Sequence, residues 1–464
     1  MQKKRCLSYA SLARAGLGCA AALLLPGCQE TDHVRSPAAP TRSLAQADTA
    51  IPVIQARAVP LRSTHGDHDR LIASIGGATR VLLGESTHGT AEFYRERGRI
   101  TLRLVREAGI RGVAIEGDWS PTYRVNLYVR GLGADRNARQ ALRGFTRFPF
   151  WMWPNAEFAE LVEQLRAHNA ALPANERVGV YGMDVYDLYD AADFVVEHLR
   201  GIAPEAARRA RTRYRCFAAY GRNTHTYGVA AQQAPRSCRD EAQAVAAEVA
   251  RLPRPANPTQ AEAHFAANRA AASVAAAEEY FRTVYTGANA WNVRDRRMEA
   301  NVEAIAEHLG RLTNRPAKLV MWSHNTHSGD ARATFAAQQG ELNLGQLMKQ
   351  RHGNGAYLVG FFTHSGTVLA APAWDERGRV YDLRPALPNS YSGLFHRTGL
   401  PAFTLPLRDD PQLRAVLSTP MLERAVGVVY VRDRERTAHY FPATLSQQFD
   451  AAIFLDRTTA VKPL

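Results

Sequence analysis

Residues 80–90 read Arg-Val-Leu-Leu-Gly-Glu-Ser-Thr-His-Gly-Thr, so an apolar run passes directly into a polar stretch with two glycines. The run shows no alternation of polar and apolar side chains, which predicts a strand buried on both faces, as in a parallel sheet covered by helices. A helical pattern begins directly afterwards, at Ala91. The segment therefore predicts a strand, a polar loop at its carboxyl end and a helix.

The same unit recurs along the chain. Further apolar runs of this kind occur at 112–115, 178–181, 318–322, 356–362, 426–431 and 452–455. Helical patterns lie between several of them, for example at 91–107, 155–169 and 190–199. Alternation of buried strands with helices predicts an α/β fold with a mostly parallel central sheet flanked by helices.

One long stretch interrupts this alternation. Residues 203–290 are rich in Ala, Arg and Glu and contain no strand-like run, and 137 positions separate residue 181 from residue 318. Such a separation is far longer than an ordinary crossover between strands. We therefore predict an inserted α-helical subdomain at 203–290, between two parts of the α/β core at 61–202 and 291–464. We expect it to act as a lid over the active-site edge of the sheet; the alternative is a helical scaffold without substrate contact.

The N-terminus has the layout of an export signal. Basic residues among the first fourteen precede an apolar run at 15–25, which is too short for a permanent transmembrane helix. The run leads into Leu-Pro-Gly-Cys at 25–28. This ending resembles the lipobox of bacterial lipoproteins. We predict a lipoprotein signal peptide at 1–27, lipidation of Cys28, and a flexible tether at 28–60. The alternative is an ordinary signal in which Cys28 is coincidental.

The charge and cysteine counts change once the leader is removed. The net charge of +14 includes four basic residues of the leader, and the remaining arginines are dispersed through helical patterns, which argues against a nucleic-acid partner. Two of the five cysteines leave with the signal peptide. An oxidising export route predicts a disulfide between Cys216 and Cys238, and two unpaired thiols are the alternative. The protein is then exported and faces the periplasm, and it contacts the membrane of the cell envelope only through its lipid anchor.

Polar side chains follow four of the apolar runs, where each predicted strand ends. They are Glu85, His88, Glu116, Asp184, His324 and His327. Because ligands of open α/β sheets bind outside the carboxyl ends of the strands, we expect these side chains to converge on one active site. The alternative is a set of helix caps and turns at strand ends.

Three kinds of chemistry remain open for this cluster. Residues 84–88 approach the G-x-S-x-G nucleophile elbow, but the bulky His88 in the fifth position disfavours Ser86 as a nucleophile. A divalent metal such as zinc is the second option, because the cluster offers imidazole and carboxylate ligands. Its ligands would be Glu85, His88, Glu116, His324 and His327. In the third option, a histidine oriented by a carboxylate acts as general base on water without a metal.

At these residues the sequence resembles the erythromycin esterase family. The similarity begins with Gly-Glu-Ser-Thr-His-Gly-Thr-Ala-Glu-Phe at 84–93 and includes Trp-Ser-His-Asn-Thr-His at 322–327. It continues through Gly-Met-Asp at 182–184, Arg294-Asp295-x-x-Met298-x-x-Asn301 and residues 390–399, and thus covers positions 70–457. The resemblance implies a hydrolase that opens a small-molecule ester or macrolactone, with macrolide detoxification as the activity of the best-known members.

The resemblance also implies roles for individual residues and no dedicated, tightly bound cofactor. The expected catalytic residues are His88 as general base, Glu85 and Glu116 as its supporting glutamates, and His324 as the second histidine. The expected substrate-binding residues are His327, Arg97 and Asp184. A neutral base at His88 predicts that activity falls on the acid side.

Other functions remain as alternatives to this one. They are a metal-dependent hydrolase, an esterase acting on envelope polysaccharide, and a non-catalytic envelope binding protein built on the same fold. The sequence does not predict the oligomeric state or the substrate.

Overall fold

The computed structural model describes residues 44–233, 237–286 and 288–464. The predicted signal peptide at 1–27, the predicted lipidation site Cys28 and the first part of the predicted tether, 29–43, lie outside the described residues. None of the described helices is long and apolar enough to cross a membrane.

The strands of the described residues fall into a large sheet and a small two-stranded one. They are β1 (Val59–Pro60), β2 (Arg80–Leu83), β3 (Ile110–Ile115), β4 (Gly179–Gly182), β5 (Lys318–Trp322), β6 (Ala356–Ala370), β7 (Arg379–Leu383), β8 (Ala402–Pro406), β9 (Met421–Arg424), β10 (Tyr440–Ala443) and β11 (Ala451–Thr458).

The large sheet has the order β1-β8-β11-β6-β2-β5-β3-β4, with β7 paired to the far part of β6. The neighbouring strands from β11 to β4 are all parallel, and the pairs that involve β1, β7 and β8 are antiparallel. The predicted α/β fold with a mostly parallel central sheet is thus confirmed.

The two faces of this sheet are covered by members of a larger set, the nineteen α-helices of the described residues. They are α1 (Leu44–Asp48), α2 (Ile51–Arg57), α3 (Asp69–Ile75), α4 (Ala91–Glu107), α5 (Trp119–Arg130), α6 (Ala138–Ala141), α7 (Ala156–Asn169), α8 (Tyr189–Ile202), α9 (Pro204–Tyr214), α10 (Thr224–Gln233), α11 (Arg239–Ala250), α12 (Pro258–Val284), α13 (Ala290–Thr313), α14 (Asn325–Ser328), α15 (Leu344–His352), α16 (Tyr391–Arg397), α17 (Pro411–Val416), α18 (Glu435–Ala438) and α19 (Leu445–Gln448).

The double covering explains why the strands lack alternation in sequence. Leu82 of β2 packs in one apolar cluster, which includes much of α8 and α12, whereas Val81 and Leu83 pack in the other, with α4 and α7. Successive side chains of a strand point to opposite faces, so a strand between two helical layers needs apolar residues at every position.

The stretch between β4 and β5 is helical from α8 to α13, as predicted for an insertion. Cys216 and Cys238 form a disulfide in this region, with their Cα atoms 5.8 Å apart. Cys238 is the N-cap residue of α11, so the bridge joins the start of that helix to the 3-10 turn that follows α9.

The predicted tether is wrong for residues 44–60. Ala47, Ala50 and Ile54 are fully buried, and the side-chain amide of Gln55 donates to the carbonyl oxygen of Thr398 at 2.8 Å. The three buried residues recur at helical spacing, which forms an apolar stripe that docks on the domain. The Ala- and Pro-rich composition of the segment concealed this stripe.

The predicted strand at 426–431 is also wrong. Val426 and Val429 make only isolated bridges, to Thr87 and Ala371. The backbone N–H of Val426 donates to the carbonyl oxygen of Ser86 at 2.8 Å. The carbonyl oxygen of Val426 accepts from the backbone N–H of His88 at 3.1 Å. The segment is apolar because it is buried beneath the loop after β2, and its backbone supports that loop instead of extending the sheet.

Candidate active site

Four adjacent strands bring the predicted cluster together. Along the sheet, β2 leads into Glu85 and His88, and its neighbour β5 leads into His324 and His327. The next strand, β3, leads into Glu116, and β4 leads into Asp184. Each of these six residues is at most 5% exposed. The convergence follows from parallel pairing, because all four carboxyl ends lie at the same edge of the sheet.

The loop after β2 fits its position only because it contains two glycines. A Cβ on Gly84 would lie 2.1 Å from Oδ1 of Asn325, and one on Gly89 would lie 1.8 Å from the carbonyl oxygen of Leu369. Both approaches are far inside van der Waals contact. The loop is therefore pressed against β6 and the start of α14, which fixes the backbone on either side of His88.

We expect Gly89→Ala to destabilise the protein by about 1–3 kcal/mol or more, because the added methyl group would overlap the backbone of β6 rather than a side chain that can turn away. Chemical denaturation of the purified variant measures this loss. Gly77→Ala is the matched control, since no atom lies within 4 Å of the Cβ position there. Equal unfolding free energies for the two variants would contradict the close approach.

His88 and Glu85 form a buried pair at the centre of the cluster. Nδ1 of His88 lies 2.8 Å from Oε1 of Glu85, and Oε2 of the same carboxylate accepts from Nη2 of Arg97 at 2.6 Å. Glu85 thus has a guanidinium on one oxygen and an imidazole on the other. The ion pair with Arg97 makes Glu85 the acceptor on both of its oxygens, so Nδ1 of His88 carries the donated hydrogen.

The structure does not support Arg97 as a residue that touches substrate. Its side chain is fully buried, with the guanidinium 4.6 Å from the ring centre of Tyr94 and 4.5 Å from that of Trp322. Its role in the site is to hold Glu85.

A second buried network surrounds Glu116. Arg294 donates to both oxygens of Asp184, at 2.8 and 2.7 Å, and to Oε1 of Glu116 at 2.7 Å. Oε2 of Glu116 accepts the backbone N–H of His324 at 2.7 Å. This carboxylate therefore joins the ends of β3 and β5, while Arg294, from α13, ties both acids together.

Burial by itself would raise the pKa of Glu116. The nearby charges of His327, Arg294 and His88 and the hydrogen bond from His324 outweigh burial and hold the pKa of Glu116 well below its usual range. Glu116 is consequently an anion at any physiological pH.

His327 lies on the far side of this network. Its Nδ1 is 2.9 Å from Oδ1 of Asp295, its Nε2 is 2.9 Å from Nη1 of Arg294, and its ring stacks on Trp291. Burial lowers the pKa of His327, but Asp295 and Glu116 outweigh it and raise the pKa above the ordinary value. Both nitrogens of His327 are engaged by protein atoms, so His327 positions its neighbours and has no nitrogen left for the predicted contact with substrate.

His324 is held as a neutral side chain beside His88. The two ring centres are 4.8 Å apart. Burial and the charge of His88 lower the pKa of His324 well below 6.5. Its Nδ1 accepts the backbone N–H of Thr326 at 3.3 Å and lies 2.9 Å from the hydroxyl of the same residue, which assigns the ring proton to Nε2. Within the described residues this buried Nε2 makes no hydrogen bond of ordinary geometry, and the backbone of Ser86 is a polar neighbour of the ring.

A cleft of about 620 Å³, including its open outer part, reaches this cluster. His88, Glu116, Asp184 and Arg294 form its inner end, and Phe148, Tyr186 and Trp374 contribute aromatic walls farther out. Asp118, Asp187 and Asp190 line one side. Burial, reinforced by the charge of Asp118, raises the pKa of Asp187 to about 7.

The predicted lid does not cover this cleft. No described residue of 203–290 lines it, and residues 144–149 with Met152 and Trp153 occupy the outer wall instead. The insertion approaches indirectly, through Tyr280 and Phe281, whose rings pack against that of Tyr186 at 5.1 and 6.2 Å. Its helices pack mainly on α8 and α13, along one side of the sheet.

The five residues predicted as possible metal ligands fit a metal ion poorly. Among the described residues, no three of them bring ligand atoms within 4.8 Å of one another. The carboxylates of Glu85 and Glu116 are already neutralised by Arg97 and Arg294. A dication that bound both oxygens of either carboxylate would have to displace the buried guanidinium that pairs with it.

Arg294 and Asp295 are the site residues that the sequence-based list omits. They lie near the start of α13, more than a hundred residues after β4, where no strand end marks them. The only sequence signal was their place in the motif that resembles the erythromycin esterases.

Comparisons with known proteins agree with this architecture. A family model described as erythromycin esterase matches residues 105–458, a range that begins after the loop carrying Glu85 and His88. A solved succinoglycan biosynthesis protein is 19% identical with a TM-score of 0.73, and covers 91% of this chain and 100% of its own. A Bacillus cereus protein is likewise 19% identical with a TM-score of 0.74, again over 91% of this chain and 100% of its own.

A third solved structure is a histidine-to-asparagine mutant of the erythromycin esterase EreC in its open conformation. It is 14% identical with a TM-score of 0.61, over 90% of this chain and 97% of that one. At these identities the three structures show a shared fold.

Proposed function

The chain belongs to the erythromycin esterase family, and from this premise we propose that it is a carboxylic ester hydrolase in which His88 activates water to open an ester or macrolactone bond. The observation that carries the proposal is the contact of 2.8 Å between His88 and Glu85 at the inner end of the cleft. A histidine oriented by an ionised carboxylate is the usual arrangement of a general base in hydrolysis.

The hydrogen-bond pattern supports the direction of proton transfer. Because Nδ1 of His88 donates to Glu85, the lone pair of the neutral ring is on Nε2, and this nitrogen is the base. When it takes a proton from water, the negative charge of Glu85 stabilises the imidazolium. Arg97 pairs with that carboxylate at 2.6 Å and holds its orientation.

His324 does not itself line the cleft but lies directly behind His88, with ring centres 4.8 Å apart, and we propose that it polarises the carbonyl group of a substrate bound against His88. A neutral imidazole that carries its hydrogen on Nε2 is a donor without charge, and such a group can stabilise a developing oxyanion without repelling the imidazolium of His88. In the part of the chain that the structure describes, this buried nitrogen has no hydrogen bond of ordinary geometry, which fits a group that receives its acceptor with the substrate. Glu116 positions it through the backbone N–H.

Ser86 is less suited to nucleophilic attack than water. Its side chain is fully buried, and among the described residues its Oγ makes no hydrogen bond to His88 or to another base. Nucleophilic serine needs such a base within hydrogen-bond reach. We therefore assign the nucleophile to water.

The walls of the cleft favour a bulky, partly apolar substrate. Phe148 and Trp374 lie 4.9 Å apart between ring centres and present aromatic surface near the mouth. A macrolactone ring is the proposed occupant, with detoxification of a macrolide as the consequence. The name of the EreC structure refers to an open conformation, and we propose that residues 144–153 move outward in this chain to admit such a substrate.

Mass spectrometry tests the reaction directly. The protein, after dialysis against EDTA, is incubated with a panel of macrolides, aryl esters and envelope-derived polysaccharide esters. We expect addition of one water to members of one ester class, unaffected by the chelator. Loss of activity on chelation with recovery on metal addition would favour a metal-dependent hydrolase, and no hydrolysis of any class would favour a binding protein.

Export and anchoring are part of the proposal. The lipobox-like ending at Cys28 and the Cys216–Cys238 disulfide both fit an oxidising envelope compartment. In this assignment the protein faces the periplasm, lipid-anchored through Cys28, with a small-molecule substrate and no nucleic-acid partner.

The neutral state of His324 predicts a pH dependence of stability. Below pH 6.5 the unfolded chain binds a proton on this residue that the folded protein does not, so the free energy of unfolding falls as the pH falls. We expect His324→Gln to remove up to about 1.4 kcal/mol per pH unit of that slope between pH 6 and 5. Denaturant unfolding at several pH values measures it; parallel curves for the two proteins would contradict the assignment.

A further inference from the structure

Two histidines and an aspartate meet outside the cleft. His364 lies on β6, Asp456 on β11 and His396 in the last turn of α16. β6 and β11 are parallel, and the pairs Thr363 with Leu455 and Ser365 with Arg457 place Asp456 directly beside His364. One potential ligand atom of each of the three residues lies within 4.8 Å of the other two.

We propose that His364, His396 and Asp456 bind a divalent transition-metal ion, with Zn²⁺ as the best match. Two imidazoles and one carboxylate are a donor set that such ions prefer, and three protein ligands leave a coordination position for water. None of the three residues lines the cleft, so this site is separate from the proposed hydrolytic centre.

The hydrogen bonding of His364 supports this proposal. Its Nδ1 is buried and makes no hydrogen bond within the described part of the chain. Buried polar atoms are nearly always paired in native proteins, so an unpartnered nitrogen on a ring that stacks on a second imidazole needs an explanation. A bound cation would supply the partner.

The geometry shows what must change on binding. The rings of His364 and His396 are stacked, with centres 3.7 Å apart and planes within 5° of parallel, so their lone pairs do not converge on one point. Nδ1 of His396 is 2.6 Å from Oδ1 of Asp456. The side chain of His396 is 47% exposed, so it can turn toward an incoming ion, and the ion can enter from solvent.

The local charges permit a cation. Arg424 is a nearby opposing charge, since its guanidinium donates to the carbonyl oxygen of His364 at 3.1 Å. Glu435 pairs with this arginine at 3.0 Å and offsets its charge. Asp456 then supplies the negative charge that attracts the metal.

Metal titration of the tag-free protein tests the site. After EDTA dialysis, the protein is titrated with Zn²⁺ by calorimetry and with Co²⁺ by absorption spectroscopy, whose ligand-field bands report nitrogen and oxygen coordination. We expect one equivalent to bind. His396→Ala and Asp456→Asn should each weaken binding by about 10- to 100-fold or more, since even outer-shell changes at metal sites have effects of that size.

Two control variants make the outcome decisive. His352→Ala removes another histidine that pairs with a carboxylate, Glu303 at 2.9 Å, and should leave binding unchanged. His88→Asn should also leave it unchanged. The proposal is overturned if the wild type binds no ion, if His396→Ala and Asp456→Asn both retain the wild-type affinity, or if His88→Asn abolishes binding. Near-UV circular dichroism of the metal-free variants verifies that they are folded, and Asp456→Asn keeps the volume of the side chain.

Discussion

We expect His88→Asn to lower kcat by about 10²–10⁴-fold, the usual contribution of a general base, without loss of the fold. The side-chain amide of asparagine can occupy the place of Nδ1 and still donate to Glu85, which otherwise stays paired with Arg97. What disappears is Nε2, the nitrogen that takes the proton from water. The effect should therefore fall on turnover rather than on the melting temperature.

Steady-state kinetics on the ester class identified by mass spectrometry, together with thermal unfolding, separates these two quantities. His168→Asn is the matched control, because it makes the same change on the surface of α7, away from the cleft. Turnover of His88→Asn close to that of the wild type would refute the assignment of the base.

The second large effect is expected at Arg294. Arg294→Met would leave Glu116 and Asp184 buried without their shared cation, and breaking a buried ion pair from one side costs about 3–5 kcal/mol. Because the same guanidinium fixes the carboxylate that positions His324, activity should be lost as well. Denaturant unfolding measures the first effect.

A double variant tests whether the loss comes from the stranded acids. Adding Asp184→Asn to Arg294→Met removes one uncompensated charge and should recover part of the lost stability, which a double-mutant cycle quantifies. Arg297→Met, on the same helix, is the control: its exposed pair with Glu279 at 2.5 Å should contribute about 1 kcal/mol or less. Equal effects at Arg294 and Arg297 would contradict the buried network.

Local sequence was sufficient where the structure is built from local units. The run at 80–83 predicted a doubly buried strand, and the polar residues that follow β2, β3, β4 and β5 predicted one cluster. This worked because parallel strands place their carboxyl ends at a common edge, so the position of a residue within its own unit determines its place in the sheet. The predictions at 44–60 and 426–431 failed because the composition of a short apolar segment does not say what that segment packs against.

Tertiary structure alone decided the electrostatic pairing of the site. The sequence predicted that Glu85, Glu116 and Asp184 lie near two histidines. It did not predict which of these acids Arg97 or Arg294 would neutralise. It likewise gave no reason to join His364 with Asp456 and His396, which come from two strands and a helix. Such contacts depend on strand order and on the return of a long helical insertion, because a side chain's charge partner is set by distance in space, which local periodicity does not encode.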